Sequence, residues 1–123
     1  MAVDPRLVAP STARNKDPIF DVLRRVLPES GTVLEIASGS GEHGADYAPK
    51  LPRHNWQPTD IGEDALASIA AWRKDCGAPN LLEPVVCDVT SAGAADKIPA
   101  DNVTAIVCIN MIHISPWVAC EGL

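Results

Sequence analysis

Glu35, Gly39, Gly41 and Asp60 are the residues whose types and spacing lend themselves to ligand chemistry. Glu35 stands inside the run Thr32-Val33-Leu34-Glu35-Ile36-Ala37, four positions before the first glycine of Gly39-Ser40-Gly41-Glu42-His43. A strand that feeds a Gly-x-Gly turn and then a helix brings backbone N–H groups against a nucleotide-like ligand. Glycine suits such a turn because the chain bends sharply and a ligand comes close to the backbone. Gly39, Gly41 and Gly44 also satisfy G-x-G-x-x-G, the dinucleotide fingerprint. A dinucleotide sets a doubly charged pyrophosphate over the turn, where a carboxylate repels it. A ligand that brings a cationic amino group and a sulfonium is attracted by the same carboxylate. Glu35 therefore tilts the expected cofactor toward S-adenosylmethionine. The plain alternative is a solvent-facing glutamate beside an ordinary turn.

The elements that must position these residues alternate along the chain. Residues 1–13 hold prolines and polar groups without period and read as a flexible lead. Asp17 is an expected helix N-cap with Pro18 at the first helical position. Ile19, Val22, Leu23, Val26 and Leu27 recur at helical spacing, and Pro28 stops the helix. Residues 32–37 predict the first strand, and a helix opens near Gly41 and ends before Pro49. A second strand is expected over 55–59, and a helix over 63–75 that buries Leu66, Ile69, Ala70 and Trp72. Residues 84–87 and 103–109 predict the third and fourth strands, and Ser115-Pro116 caps a helix over 117–123. The alternation predicts an α/β fold, a Rossmann-like parallel sheet with helices on both faces. Ligands on such sheets lie at the carboxyl ends of the strands. Asp60, Asp88 and Asn110 stand at three successive strand ends. One polar residue there is ordinarily a turn former, but three together with Glu35 mark a site. Asp60, nineteen residues beyond Gly41, is where an acid accepts hydrogen bonds from ribose hydroxyls, with Ile61 beside it for the adenine face.

Glu35-x-x-x-Gly39-x-Gly41 resembles the first motif of class I S-adenosylmethionine-dependent methyltransferases. Arg14-Asn15-Lys16-Asp17-Pro18-Ile19, Leu34-Glu35-Ile36-Ala37-Ser38-Gly39-Ser40-Gly41, Trp56-Gln57-Pro58-Thr59-Asp60 and Cys108-Ile109-Asn110-Met111-Ile112-His113-Ile114 together resemble a narrower group. That group is a methyltransferase-like family formerly filed as a domain of unknown function, found in bacteria and animals. The resemblance runs from about Ser11 to Leu123 and implies a methyltransferase fold with S-adenosylmethionine as cofactor, while the methyl acceptor does not carry over. It implies cofactor contacts at Glu35, Gly39, Ser40, Gly41, Asp60 and Ile61. It further implies Asp88 for the adenine amino group, Val89 against the ring, and Asn110 facing the transferred methyl. Arg14, Asn15 and Lys16, expected to precede the first helix, would fold over the cofactor or meet the substrate. A solvated helix entrance is the alternative for that trio. His113 is the imidazole expected near the site and a candidate base, since imidazole titrates near neutrality; a packed structural histidine is the alternative. A class I sheet has seven strands, and the chain is expected to hold only the first four. Residues 14–123 would then be the N-terminal, cofactor-binding portion of such a domain. Residues 103–109 would form an exposed sheet edge prone to self-association.

Composition bounds the remaining classes. At 123 residues with 46% apolar side chains, the chain suits one domain with its own core. No apolar run approaches the roughly 20 residues of a membrane helix, and the first residues lack the apolar segment of a secretory signal. A net charge of −6 and few aromatic residues argue against nucleic acid as partner. Cys76, Cys87, Cys108 and Cys120 form no C-x-x-C pair, and His43, His54 and His113 are scattered, so reduced thiols and no metal are expected. The predicted location is cytoplasmic. Two function classes stand: a methyltransferase or its cofactor-binding half, and a non-catalytic protein keeping the fold. A nicotinamide-dependent oxidoreductase, resting on the literal glycine pattern, trails them.

Overall fold

A computed structural model describes residues 4–88, 98 and 102–109 of the chain. Its first helix, α1 (Pro10–Val26), begins earlier than the expected start at Asp17. Pro10 occupies the first turn, where a missing N–H costs nothing, and Pro18 lies inside the helix. An interior proline removes one helical hydrogen bond, so the segment needs support from outside. It has that support. The Tyr47 hydroxyl donates to the Lys16 carbonyl at 2.8 Å, Nε2 of His43 lies 2.9 Å from Oδ1 of Asn15, and Thr12 is buried. The predicted boundary at Arg14 therefore falls within a helix, and residues 10–13 belong to it. Of the apolar residues at helical spacing, Leu23 is buried, whereas Val22 and Val26 are exposed.

Four strands follow in chain order: β1 (Gly31–Glu35), β2 (His54–Asp60), β3 (Val85–Val86) and β4 (Val103–Val107). Helix α2 (Glu42–Tyr47), continued by a 3-10 turn over Ala48–Lys50, connects β1 to β2. Helix α3 (Glu63–Cys76) connects β2 to β3. All pairings are parallel and the order is β3-β2-β1-β4, so β4 forms one edge of the described sheet. This is an α/β sheet flanked by helices, as the alternation predicts. Among the described residues, no helix is long and apolar enough to cross a membrane.

Side chains alternate across the sheet. Val33, Trp56 and Val107 enter a core with Leu23, Tyr47, Ala48, Leu51 and Leu81, under the described helices. Burying a large apolar side chain contributes roughly 1.5–3 kcal/mol, and the Tyr47 and Trp56 rings add an edge contact at 5.7 Å. Leu34, Ile36 and Cys87 cluster separately. In α3, Ile69 is buried as expected, but Ala70 is exposed and Ser68 takes a fully buried position. Hydrogen bonds to distant segments, described below, hold it there.

The short β3 pairs with β2 only at Thr59 and Asp60. Farther back along the same edge, Trp56 N–H donates to the Asn80 carbonyl at 2.8 Å and Leu82 N–H to the Trp56 carbonyl at 2.9 Å, and a side chain adds to this backbone pairing. The Gln57 amide donates to the Glu83 carbonyl at 2.7 Å. At the amino ends of the strands, the Asn80 amide donates to the carbonyls of Ala48, Leu51 and His54, and the His54 ring to that of Pro28. The predicted helix over 117–123 lies outside the described residues.

Candidate functional site

Beyond Glu35 the chain leaves β1 through Ile36 and Ala37 and is laced to β2 on the way. Ser38 N–H donates to the Thr59 carbonyl at 2.8 Å, Thr59 N–H donates to the Ser38 hydroxyl at 3.0 Å, and the Thr59 hydroxyl donates to the Glu35 carbonyl at 2.7 Å. Ala37 is held at φ 54°, in the left-handed region that side chains with a Cβ avoid. Such a residue persists only where its surroundings over-determine it, and these three bonds do so.

The glycines divide the work. Gly39, at φ +62°, is exposed, and a Cβ built there would meet nothing within 4 Å. Open space over a left-handed backbone is what a ligand approaching the turn requires. Gly41, at φ +89°, is buried against α3, where a Cβ would sit 2.8 Å from the Ile69 Cα. Gly44 makes room for the Trp56 indole, 2.9 Å from where its Cβ would stand. One glycine opens the site, and two let helices close on it.

Asp60, at the end of β2, faces that opening. Its Oδ2 accepts the Gly39 N–H at 2.9 Å, and its Oδ1 accepts the N–H groups of Ile61 at 2.7 Å and Gly62 at 3.1 Å. Three backbone donors fix the carboxylate on the axis of the turn, and it stays half-exposed. Further acceptor capacity remains, since a carboxylate offers about four lone-pair sites. Ile61 beside it is 64% exposed, an apolar face turned outward at a strand end. Cys87 N–H donates to the Asp60 carbonyl at 3.2 Å, which brings the half-buried Asp88 up behind β3.

Glu35 occupies a different position from the one its type suggests. Strand alternation sends it to the side of Val33, where it is 2% exposed and its Oε1 accepts the Trp56 indole N–H at 3.1 Å. Burial raises its pKa to about 7, against the lowering effect of hydrogen bonds from Trp56 and Ser38. The carboxyl thus braces the underside of the turn and carries only part of a charge at neutrality. The acid held against the opening is Asp60, while Glu42 stands in the first turn of α2 with its Oε1 taken by the Ala9 N–H and the Ser40 hydroxyl.

Ser40 also turns inward. Its hydroxyl donates to Oε1 of Glu42 at 2.9 Å, and its carbonyl accepts the Ser68 hydroxyl at 2.6 Å. Arg14, Asn15 and Lys16 do not precede the first helix but lie in α1. Asn15 meets His43, whose pKa burial lowers, and the Lys16 ammonium is 3.8 Å from Asp46. Arg14 is exposed. Val89, Asn110 and His113 lie outside the described residues.

The carboxyl ends of β1 and β2 therefore bring together Glu35, Gly39, Ser40, Gly41, Asp60 and Ile61. Sequence reasoning missed Trp56, Ser38 and Ser68. Only the first had a signal: strand pairing of two central elements would have set an indole beside a buried acid. The cleft lined by Thr12, Lys16, Glu42, Asp46, Trp72 and Asp75, about 280 Å³, lies among the helices rather than at the strand ends. Its Lys16 and Asp75 charges are already paired, with Asp46 and Arg6. The carboxyl end of the described sheet thus holds a turn with Ala37, Gly39 and Gly41 at positive φ and an acid fixed over it. The family model described as "Protein of unknown function (DUF938)" matches residues 6–123, and the chain belongs to that family.

Proposed function

We propose that the carboxyl ends of β1 and β2 bind S-adenosylmethionine and that the domain serves methyl transfer to an acceptor not identified by these residues. One observation carries the proposal: the Asp60 carboxylate, 2.9 Å from the Gly39 N–H, stands over a glycine turn with open space above it. The residues present fit the cofactor. Asp60 has acceptor capacity for ribose hydroxyls, Ile61 offers an exposed apolar face for adenine, and Asp88 stands at the next strand end. When bound, the cofactor supplies an activated methyl group, so the chain's part is to orient it and exclude water.

A nicotinamide dinucleotide is the second reading, favoured by the literal G-x-G-x-x-G and by the reduced charge of Glu35 near neutrality. Three features oppose it. Glu42 sits in the first turn of α2, where a pyrophosphate would bind, and the Asp60 carboxylate already holds the Gly39 N–H. Helix α2 spans only Glu42–Tyr47, so its dipole offers a phosphate little. A non-catalytic protein of the same fold would bind S-adenosylmethionine without transferring its methyl.

Calorimetric titration with S-adenosylhomocysteine and with NAD separates the first two. Binding of S-adenosylhomocysteine alone is expected, and binding of NAD alone overturns the proposal. A radiolabelled-methyl transfer assay over a panel of acceptors then separates enzyme from binding protein.

A further inference from the structure

The N-terminal segment 4–9 is tied to the glycine turn through two side chains, Ser68 and Glu42. Leu7 N–H donates to the Ser68 hydroxyl at 2.8 Å, and that hydroxyl donates onward to the Ser40 carbonyl at 2.6 Å. Ala9 N–H donates to Oε1 of Glu42 at 2.6 Å, and the same oxygen accepts the Ser40 hydroxyl at 2.9 Å. Both paths end on Ser40, the residue between Gly39 and Gly41. The segment is itself anchored on α3. The Trp72 indole N–H donates to the Leu7 carbonyl at 2.9 Å, the Arg6 guanidinium lies 5.1 Å from the centre of the Trp72 ring, and Arg6 pairs with Asp75 at 3.1 Å.

We propose that Ser68 and Glu42 are positioning residues, which clamp Ser40 between the N-terminal segment and α3 and so hold Gly39 open for its ligand. A serine buried without exposure in α3 is otherwise unexplained, because an alanine would fill a helix interior better. Its hydroxyl is a two-way relay: it satisfies one backbone donor from the segment and one backbone acceptor in the turn. Glu42 acts as the second junction, accepting one backbone and one side-chain donor on a single oxygen. The bonds to Thr59 fix the Ser38 end, Asp60 holds the Gly39 N–H and the Ser38 carbonyl accepts the Gly41 N–H, which leaves Ser40 to be held from the side of the N-terminal segment and α3. Coupling is reciprocal, so a ligand that orders the turn also orders residues 7–9.

The consequence for ligand affinity rests on the cofactor reading, whereas the clamp itself does not. Amide hydrogen exchange resolved by NMR therefore comes first, in the ligand-free full chain. Ser68→Ala and Glu42→Ala should each speed exchange at the Gly39 and Gly41 amides by about fivefold or more, the lower end of ordinary site–site coupling. Glu42→Gln, which keeps an acceptor oxygen, should restore wild-type exchange. Titration of wild type and Ser68→Ala with S-adenosylhomocysteine should then show a similar loss of affinity. Unchanged turn exchange in both alanine variants overturns the clamp, as does acceleration spread equally over the β1 and β2 amides. Faster turn exchange in a chain that does not bind S-adenosylhomocysteine supports the clamp and overturns the cofactor reading alone.

Discussion

The two ends of the sheet solve the same problem in opposite ways. Each must satisfy loop backbone where strands meet helices. At the amino ends a neutral amide does it: Asn80 gives its N–H groups to three carbonyls, those of Ala48, Leu51 and His54. At the carboxyl ends a charged acceptor does it: Asp60 takes three backbone N–H groups, from Gly39, Ile61 and Gly62. Asn80, half-buried between the loops it joins, spends its amide donors on those carbonyls. Asp60 stays half-exposed beside an unobstructed glycine, with acceptor capacity to spare. One end is a seal and the other, on the proposed reading, a seat. The difference teaches that a strand end whose satisfying group is charged and accessible keeps acceptor capacity for a further partner.

The largest effect separating the two ends is expected at the seal. Asn80→Ala leaves carbonyls of Ala48, Leu51 and His54 without that donor and should lower unfolding free energy by about 2–4 kcal/mol. Urea denaturation reads the loss, and affinity for S-adenosylhomocysteine should stay within about twofold. A large affinity loss at constant stability would erase the distinction between seal and seat.

Glu35 gives the next effect, through pH. Its native pKa is raised to about 7 from an ordinary 4.5, so between those values the folded state holds a proton that the unfolded state has released. Stability from this group is then full below the lower value and lost as pH rises through about 7, by on the order of 3 kcal/mol. Denaturation midpoints compared at pH 4.5 and 8 should show that decline in wild type and a flatter profile in Glu35→Gln. Parallel profiles would place the charge of Glu35 back in solvent.

Smaller again is the contrast between glycines. Gly41→Ala forces a Cβ against the Ile69 backbone as well as a strained φ, and should cost about 2–3 kcal/mol. Gly39→Ala meets only the strain, about 1 kcal/mol. Thermal unfolding of both variants checks the order. Equal losses would mean that Gly39 is packed rather than open.

Much of this frame was legible in residue order. The apolar run ending in Gly39-Ser40-Gly41 reads as strand and turn because only glycine tolerates φ values of +62° and +89° without strain. Asp60 was legible because a carboxylate at the end of the next strand is set opposite that turn by parallel pairing. Glu35 was read as facing the ligand because its type suggested a role, while alternation from Val33 sends it under the helices to Trp56. The start of α1 was misread at Pro18 because an interior proline is normally costly, and the bonds from Tyr47 and His43 that offset it come from 31 and 28 residues away. Ser68 was invisible for the same reason. Its burial follows from Leu7 and Ser40, neither of which a local pattern connects to α3.

The central claim is that Asp60 and the open turn form a seat for S-adenosylmethionine, and titration calorimetry of S-adenosylhomocysteine into wild type and Asp60→Ala tests it most directly. Deleting a charged hydrogen-bond partner should weaken binding by about 1–3 kcal/mol, with far-ultraviolet dichroism unchanged. Equal affinity in the two proteins, or no binding by wild type, would contradict it.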